Sequence, residues 1–159
     1  MIQGVKIKQL KVHQDIPDTD QPGVKLGVLM EVLRADDEMF TKFGQSVMTI
    51  AYKGNIKGFH YHELQDDFWF AASGKALIVL HDSRENSPTH GETMTLTAGA
   101  DDYKVIRIPV GVAHGYKVLS DEPVIMLYHT SEVYNAANPD EKRIPYDDPG
   151  IGFDWTKNN

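Results

Sequence analysis

The chain has 159 residues, a length that fits one domain, and its 23 acidic against 16 basic residues give a formal net charge of −7. The acidic balance argues against nucleic acid as a partner. Without cysteine, the chain can form no disulfide, thiolate metal site or cysteine nucleophile. No apolar run is long enough for a membrane span or a signal peptide. We therefore expect a cytoplasmic protein whose chemistry uses His, carboxylate, Tyr or Lys side chains.

Short segments that alternate apolar with polar residues, or that are rich in β-branched and aromatic types, recur along the chain up to residue 130. Gly, Pro, Asp or Asn closes each of them, which is the pattern of short strands separated by turns. The predicted strands are Val5–Val12, Gly27–Leu33, Val47–Lys53, Ile56–His62, Asp67–Ser73, Ala76–Asp82, Thr93–Thr97, Tyr103–Ile108, Gly115–Leu119 and Val124–Thr130.

Only Asp36–Phe43 has a helical pattern, and it is brief. Because βαβ units need longer helices between strands, we expect antiparallel strands in a sandwich or barrel. From Ser131 to Asn159 prolines and paired aspartates recur, which predicts an irregular tail wrapped over that barrel. Residues 1–159 are accordingly predicted to form a single all-β domain, with strands from about 5 to 130 and the tail at 131–159.

The segment GNIKGFHYHELQDDFWFAASG holds two histidines and a carboxylate between two glycines. His60 and His62 are two residues apart on a predicted strand, so both side chains leave the same face. The turn that follows reverses the chain and returns Asp67, at the start of the next strand, beside them. This spacing resembles the first motif of the cupin superfamily, with Asp67 in place of the usual Glu.

A third imidazole comes from IPVGVAHG, where Pro109, Gly111 and His114 match the core of the second cupin motif. The resemblance implies a cupin double-stranded β-helix, or jelly-roll barrel, with one inward-facing set of ligands. Three imidazoles and one carboxylate suit a divalent transition metal such as Mn, Fe, Co, Ni or Zn. The alternative for the two strand histidines is a merely polar pair. The predicted metal ligands are His60, His62, Asp67 and His114.

Most of the chain also resembles the dTDP-4-dehydrorhamnose 3,5-epimerase family, which are cupins acting on nucleotide-linked 4-keto sugars. The matching stretches follow the family's order and spacing from about Gly54 to Trp155. They are KGFHYH, SGKALIVLHDSRENSPTHG, IPVGVAHGYKVLSDEPVIMLYHTSEVYN and IPYDDPGIGFDW. The resemblance implies an isomerase of carbohydrate biosynthesis that has a small-molecule nucleotide-sugar substrate, needs no organic cofactor and forms a homodimer.

The resemblance also implies catalytic roles. His60 stands where the family has the base that removes the proton next to the C4 ketone. Tyr128 stands where the family has the acid that reprotonates from the opposite face, and His114 falls on a family histidine at the substrate. A proton next to a ketone is acidic enough for an imidazole base if the enolate oxygen is stabilised.

Three further residues are expected to contact substrate. Lys57 takes the place of a family arginine, and Tyr134 belongs to a matching stretch. Trp69 shares strand parity with Asp67, so its ring faces the cavity, where it stacks on a sugar or base or simply packs in the core.

The chain departs from the family at several expected positions. Asp67 stands at or near the family's active-site lysine, Leu26 replaces an arginine used on the nucleotide, and Ile78 replaces a strand aspartate. The sequence also ends before the region that supplies a partner for the catalytic histidine. Two alternatives to the epimerase are a metal-dependent cupin of another reaction class and a non-catalytic sugar-binding relative. A metal-bound His60 could not also be the free base.

Overall fold

The computed structural model describes residues 1–16 and 26–157. These ranges contain twelve short strands and no helix. Accordingly, no helix in these ranges could cross a membrane. The strands are β1 (Lys6–Gln9), β2 (His13–Gln14), β3 (Val28–Leu29), β4 (Gln45–Ala51), β5 (Ile56–His62), β6 (Asp67–Ser73), β7 (Lys75–Asp82), β8 (Thr93–Gly99), β9 (Lys104–Ile108), β10 (Val112–Val118), β11 (Val124–Thr130) and β12 (Glu141–Arg143).

Two five-stranded antiparallel sheets face each other. One has the order β1-β9-β6-β11-β4 and the other β12-β5-β10-β7-β8, while β2 and β3 form a separate hairpin. The inward side chains of both sheets, among them Trp69, Ile78 and Met126, pack into one buried apolar cluster between the sheets. The predicted all-β jelly-roll fold is confirmed, because alternation of buried and exposed positions specifies which face of each strand turns inward.

Several strand bounds differ from the prediction. β5, β6 and β11 have the predicted bounds, whereas β3 is confined to Val28–Leu29. β10 begins at Val112, so His114 lies within a strand and pairs with both neighbouring strands.

The predicted helix at Asp36–Phe43 is wrong, since this segment consists of turns and irregular backbone. The Asp37 carboxylate accepts hydrogen bonds from the backbone N–H of Arg34 at 2.8 Å and from Nζ of Lys8 at 2.6 Å. Met39 is buried in a cluster on the outer face of the first sheet. These tertiary contacts hold the segment in turns, and a segment so short has little helical stability of its own.

The tail was predicted to be irregular, which is wrong at β12. Glu141–Arg143 pairs with β5 and becomes the edge strand of the second sheet. Further on, the ring of Trp155 packs 5.2 Å from that of Phe59, and its Nε1 donates a 2.8 Å hydrogen bond to the Tyr146 carbonyl. The tail therefore covers the outer face of the second sheet, although its last two residues lie outside the described ranges.

A close approach of two glycines shapes the centre of the second sheet. A Cβ on Gly115 would lie 2.7 Å from the Gly58 Cα and 2.8 Å from the Lys57 carbonyl oxygen, so no larger residue fits. Here the β5–β10 register shifts: His114 pairs with His60, but Tyr116 pairs with Lys57. Two steps on β10 thus oppose three on β5, which is a β-bulge. The extra residue turns Lys57 to the same side as His60.

Trp155 offers a test of whether tail and barrel unfold as one unit, as the single-domain prediction requires. Removing its buried indole should leave a cavity against Phe59, so Trp155→Ala is expected to cost about 3 to 5 kcal/mol of unfolding free energy. Urea unfolding followed by circular dichroism measures this. The control Ile16→Ala, at an exposed position outside the two main sheets, should change it little. A loss below about 1 kcal/mol would show that the tail is an independent appendage.

Asp82, at the end of β7, gives a prediction about acid stability. Its fully buried carboxylate accepts hydrogen bonds from Arg84 Nε at 2.7 Å, Ser87 Oγ at 2.5 Å and Thr89 Oγ1 at 2.6 Å. The Arg84 contact is the main cause that holds the pKa of Asp82 well below its usual 3.8, against the opposing effect of burial. Because the pKa is lower in the folded state, this stabilisation is present above about pH 4 and is lost as the pH falls further.

Asp82→Asn should therefore cost about 3 kcal/mol at pH 7, where one partner of a buried ion pair is lost. The difference between variant and parent should shrink toward pH 3, because the parent carboxylate is then losing its own advantage. Urea unfolding at both pH values provides the comparison. A difference that stays constant over this range would contradict the assignment.

Candidate active site

A polar cavity opens between the two sheets and has two lobes. The first, of about 460 Å³, is lined by residues that include Lys57, Tyr116 and Arg143; the second, of about 590 Å³, reaches Tyr134 at its rim. Both lobes share three residues: His60, Tyr128 and Glu141. A ligand with two parts could thus occupy both lobes and cross between them beside His60 and Tyr128.

Four predicted ligands meet at this cavity. His60 and His62 come from β5, and the neighbouring strand β10 supplies His114, whose Cα is paired with that of His60. Asp67, at the start of β6, approaches from the opposite sheet. Each of the four offers one ligand atom, and these atoms all lie within 4.8 Å of one another. The group is therefore close enough to hold one cation, and its role as a metal site stays a prediction.

Asp67 is nearly fully buried, yet its carboxylate is well supplied with donors. Gln65 Nε2 donates to Oδ1 at 2.7 Å, and Trp69 Nε1 donates to Oδ2 at 3.1 Å. Burial alone would raise the pKa of Asp67, but His114, His62 and Gln65 outweigh burial and lower it to about 2. Asp67 is therefore an anion at neutral pH.

The imidazoles of β5 are neutral at the same pH. Burial, reinforced by the neighbouring His114, lowers the pKa of His60 to about 2. Burial also lowers the pKa of His62. A neutral imidazole has a free lone pair, so His60 can accept a proton.

Tyr128 faces this group from the other sheet. It lies on β11, opposite Trp69 of β6, and lines both lobes of the cavity together with His60. Burial, and next the charge of Asp67, raise the pKa of its phenol. The hydroxyl therefore remains protonated at neutral pH and can donate a proton.

The predicted substrate residues occupy three different positions. Lys57 lies in the first lobe, turned there by the bulge, and Nζ donates to Thr49 Oγ1. Trp69 is buried, and its ring centroid is 4.9 Å from that of His114. Tyr134 is exposed at the rim of the second lobe. Lys57 and Tyr134 are exposed to a ligand, and Trp69 borders the first lobe although only 3% of it is exposed.

The structure also adds cavity residues that the sequence reasoning missed. Tyr116 is two residues after His114 on β10, so strand parity was a usable signal for it. Asp140, Glu141 and Arg143 lie at β12, in the tail that was predicted to be irregular. No local pattern identifies them, because their position depends on the pairing of β12 with β5.

A jelly-roll barrel with histidines from one sheet facing a tyrosine of the other across a polar cavity is a cupin-type enzyme architecture. The chain belongs to the dTDP-4-dehydrorhamnose 3,5-epimerase family, whose sequence model matches residues 2–159. Members are sugar-nucleotide epimerases and therefore isomerases. Thus the suspected family is confirmed.

Two relatives are similar over nearly their whole length. A spore coat polysaccharide biosynthesis protein of Bacillus subtilis is 46% identical over 155 residues, which cover 98% of this chain and 97% of the relative. A probable low-salt glycan biosynthesis epimerase of Haloferax volcanii is 36% identical over 156 residues, covering 97% and 94%.

Solved structures show the same fold. A dTDP sugar isomerase from Desulfovibrio desulfuricans has a TM-score of 0.86 at 27% identity and is matched over 99% of this chain and 94% of that chain. The Legionella pneumophila dTDP-6-deoxy-D-glucose-3,5-epimerase, in complex with dTDP-4-keto-L-rhamnose, has a TM-score of 0.79 at 26% identity, over 97% and 79%.

Proposed function

We propose that this chain epimerises a nucleotide-linked 4-keto sugar, with His60 as base and Tyr128 as acid. The observation that carries the proposal is their placement on opposite sheets at the junction of the two lobes. Inversion at carbon requires that a proton leave from one face and return to the other. The substrate class is supported by the family and by the dTDP-linked keto sugar in the Legionella structure.

The protonation states fit these roles. His60, kept neutral by burial, takes the proton next to the C4 ketone, and Tyr128, kept protonated, returns one from the opposite side. His114, which the family resemblance places at the substrate, packs against the His60 ring at a centroid distance of 4.1 Å. The Trp69 ring packs against the His114 ring in a T-shaped arrangement, with the two ring centroids 4.9 Å apart.

The mouth of the cavity fits the rest of such a substrate. Lys57 and the exposed Arg143 line the first lobe, where Arg143 is paired with Glu141 at 2.6 Å. Both cations can donate hydrogen bonds to a diphosphate or a developing oxyanion. Tyr134, exposed at the rim of the second lobe, offers a ring on which a base can stack. Function in polysaccharide or deoxysugar biosynthesis follows from this substrate class and from the names of the two full-length relatives.

We also infer a homodimer. β4 is an edge strand of the first sheet, and its outer face exposes Met48, Ile50 and, just beyond the strand, Tyr52. The segment Gln45–Tyr52 contains no charged residue, although edge strands are usually protected by charge against pairing. A second copy of the chain is the partner that would cover this edge.

A metal-dependent reaction of another class is the second candidate function. It is favoured by the convergence of His60, His62, Asp67 and His114, whose ligand atoms lie within 4.8 Å. In that case His60 would be a ligand, and proton abstraction would need another base.

Solvent exchange tests the base. In deuterated water with dTDP-4-keto-6-deoxyglucose, we expect deuterium at sugar C3 or C5 by NMR, because the abstracted proton mixes with solvent. His60→Gln should slow the exchange by roughly 10²- to 10⁴-fold, the usual contribution of a general base. His90→Gln, at an exposed histidine outside the cavity, is the matched control.

Exchange in His60→Gln at the parent rate would remove His60 as the base. Binding of the sugar nucleotide without exchange in the parent protein would instead favour the non-catalytic sugar-binding alternative. The two results are distinguishable, because binding is measured separately by calorimetry.

Removal of Tyr128, the proposed acid, should separate the exchange of the sugar proton with solvent from the inversion of the sugar carbon. In Tyr128→Phe, His60 can still remove a proton and return deuterium to the same face, so exchange should continue while inverted product falls by roughly 100-fold or more. NMR of the sugar reports both. The control Tyr103→Phe changes a tyrosine on the outer face of the first sheet. Equal loss of exchange and inversion in Tyr128→Phe would argue against the two-face mechanism.

A further inference from the structure

His114 has an unusual arrangement of hydrogen-bonding atoms. Its Nδ1 lies 2.8 Å from the Val112 carbonyl oxygen, which can only accept, so Nδ1 carries a proton. Nε2 faces Asp67 Oδ2, 3.5 Å away. Nε2 is buried and has no hydrogen-bond partner among the described residues. A buried ring nitrogen and a buried carboxylate oxygen therefore face each other with no hydrogen bond between them.

His62, on the neighbouring strand, also directs its Nε2 toward Asp67, but its outer nitrogen has no hydrogen bond to the described part of the chain. Its Nδ1 lies 3.8 Å from Asp140 Oδ2, and its Nε2 lies 3.8 Å from Asp67 Oδ2. The Asp140 carboxylate is held in place by the backbone N–H groups of Glu63 and Leu64, each at 3.0 Å. His62 Nδ1 is thus near a fixed carboxylate but beyond hydrogen-bond distance from it, and it is buried without a hydrogen-bond partner among the described residues. Its Nε2 lies 3.4 Å from Gln65 Nε2 as well as near Asp67.

This pattern is that of metal-binding histidines. Such residues almost always donate the N–H of the non-ligating nitrogen to a carboxylate or a backbone carbonyl, which fixes the ring and its tautomer. The Val112 carbonyl is such a partner for His114, and the Asp140 carboxylate lies 3.8 Å from the Nδ1 of His62. The Nε2 atoms of both rings converge on Asp67 Oδ2, at 3.8 Å for His62 and 3.5 Å for His114.

His60 differs from the other two histidines. It makes no hydrogen bond or ion pair with the described residues, and its ring borders both cavity lobes, whereas His114 borders neither. The His60 ring contacts the His114 ring edge-on at a centroid distance of 4.1 Å. Nothing fixes its tautomer, and it is accessible to a substrate.

We propose that His62, Asp67 and His114 form a divalent transition-metal site beside His60, and that Asp140, 3.8 Å from the Nδ1 of His62, becomes the hydrogen-bond partner of this ring when an ion is bound. The inference rests on the proposed function only for the role of His60 as base. Two nitrogens and one carboxylate oxygen suit Zn, Mn, Fe, Co or Ni and leave coordination positions open. A bound ion would supply Lewis acidity near the substrate carbonyl. Base and metal site then share one cavity without competing for His60.

The test measures metal, independently of turnover. Protein purified without added metal is dialysed against Zn²⁺, Mn²⁺ or Co²⁺, and its content is determined by elemental analysis, with the visible spectrum of the Co²⁺ form as a second readout. We expect about one ion per chain in the parent. His62→Gln and Asp67→Asn should lose the ion, and Asp140→Asn should bind it roughly 10- to 100-fold more weakly.

His60→Gln is the matched variant that separates this inference from the proposed function. It should keep the ion and its Co²⁺ spectrum while losing solvent exchange. Loss of metal equal to that in His62→Gln would overturn the three-residue site in favour of four ligands. Absence of stoichiometric metal in the folded parent protein would also overturn the proposed site. In that case a second proton on His114 would balance the negative charge of Asp67. Solvent exchange without metal would leave the proposed function standing.

Discussion

The Asp67 carboxylate is an anion held in the layer between the two sheets, with 1% of the residue exposed. An ion in such a place costs several kcal/mol unless charge and hydrogen bonds compensate it. Gln65 and Trp69 provide the hydrogen bonds, both from within two residues along the chain. From the other sheet, His62 and His114 face the same oxygen, and both act to lower the pKa of Asp67. Asp67 thus fixes how the chemistry-bearing strands of the two sheets face one another.

The second constraint is purely steric. Gly58 and Gly115 let β5 and β10 approach so closely that a side chain at Gly115 would collide with backbone. The resulting bulge leaves His60 opposite His114 and also brings Lys57 to the cavity side. Without it, alternation would direct Lys57 to the outer face with Phe59. A charge at the cavity mouth therefore depends on two residues that have no side chain.

These two constraints explain what the sequence could and could not predict. The spacing of His60, His62 and Asp67 was readable because strand alternation and one turn determine their mutual position. The turns at Asp36–Phe43 were misread as a helix, because the contact with Lys8 that holds them is made by a distant strand. Asp140 and Arg143 could not be found for a similar reason. Their strand exists only through pairing with β5, so no local pattern marks it.

The family resemblance places Asp67 at or near a position where other members carry an active-site lysine, which is a reversal of charge beside the substrate. Reversal at one position need not reverse the field of the site, since the carboxylate faces two imidazoles that both lower its pKa. A proton shared between His114 and Asp67 would satisfy the buried Nε2 of His114. A divalent ion in the proposed site would instead join that nitrogen, the Nε2 of His62 and the carboxylate, and it would restore positive charge where the lysine is absent. In that proposal, the residue that takes the place of a family cation is itself a ligand of the cation that replaces it.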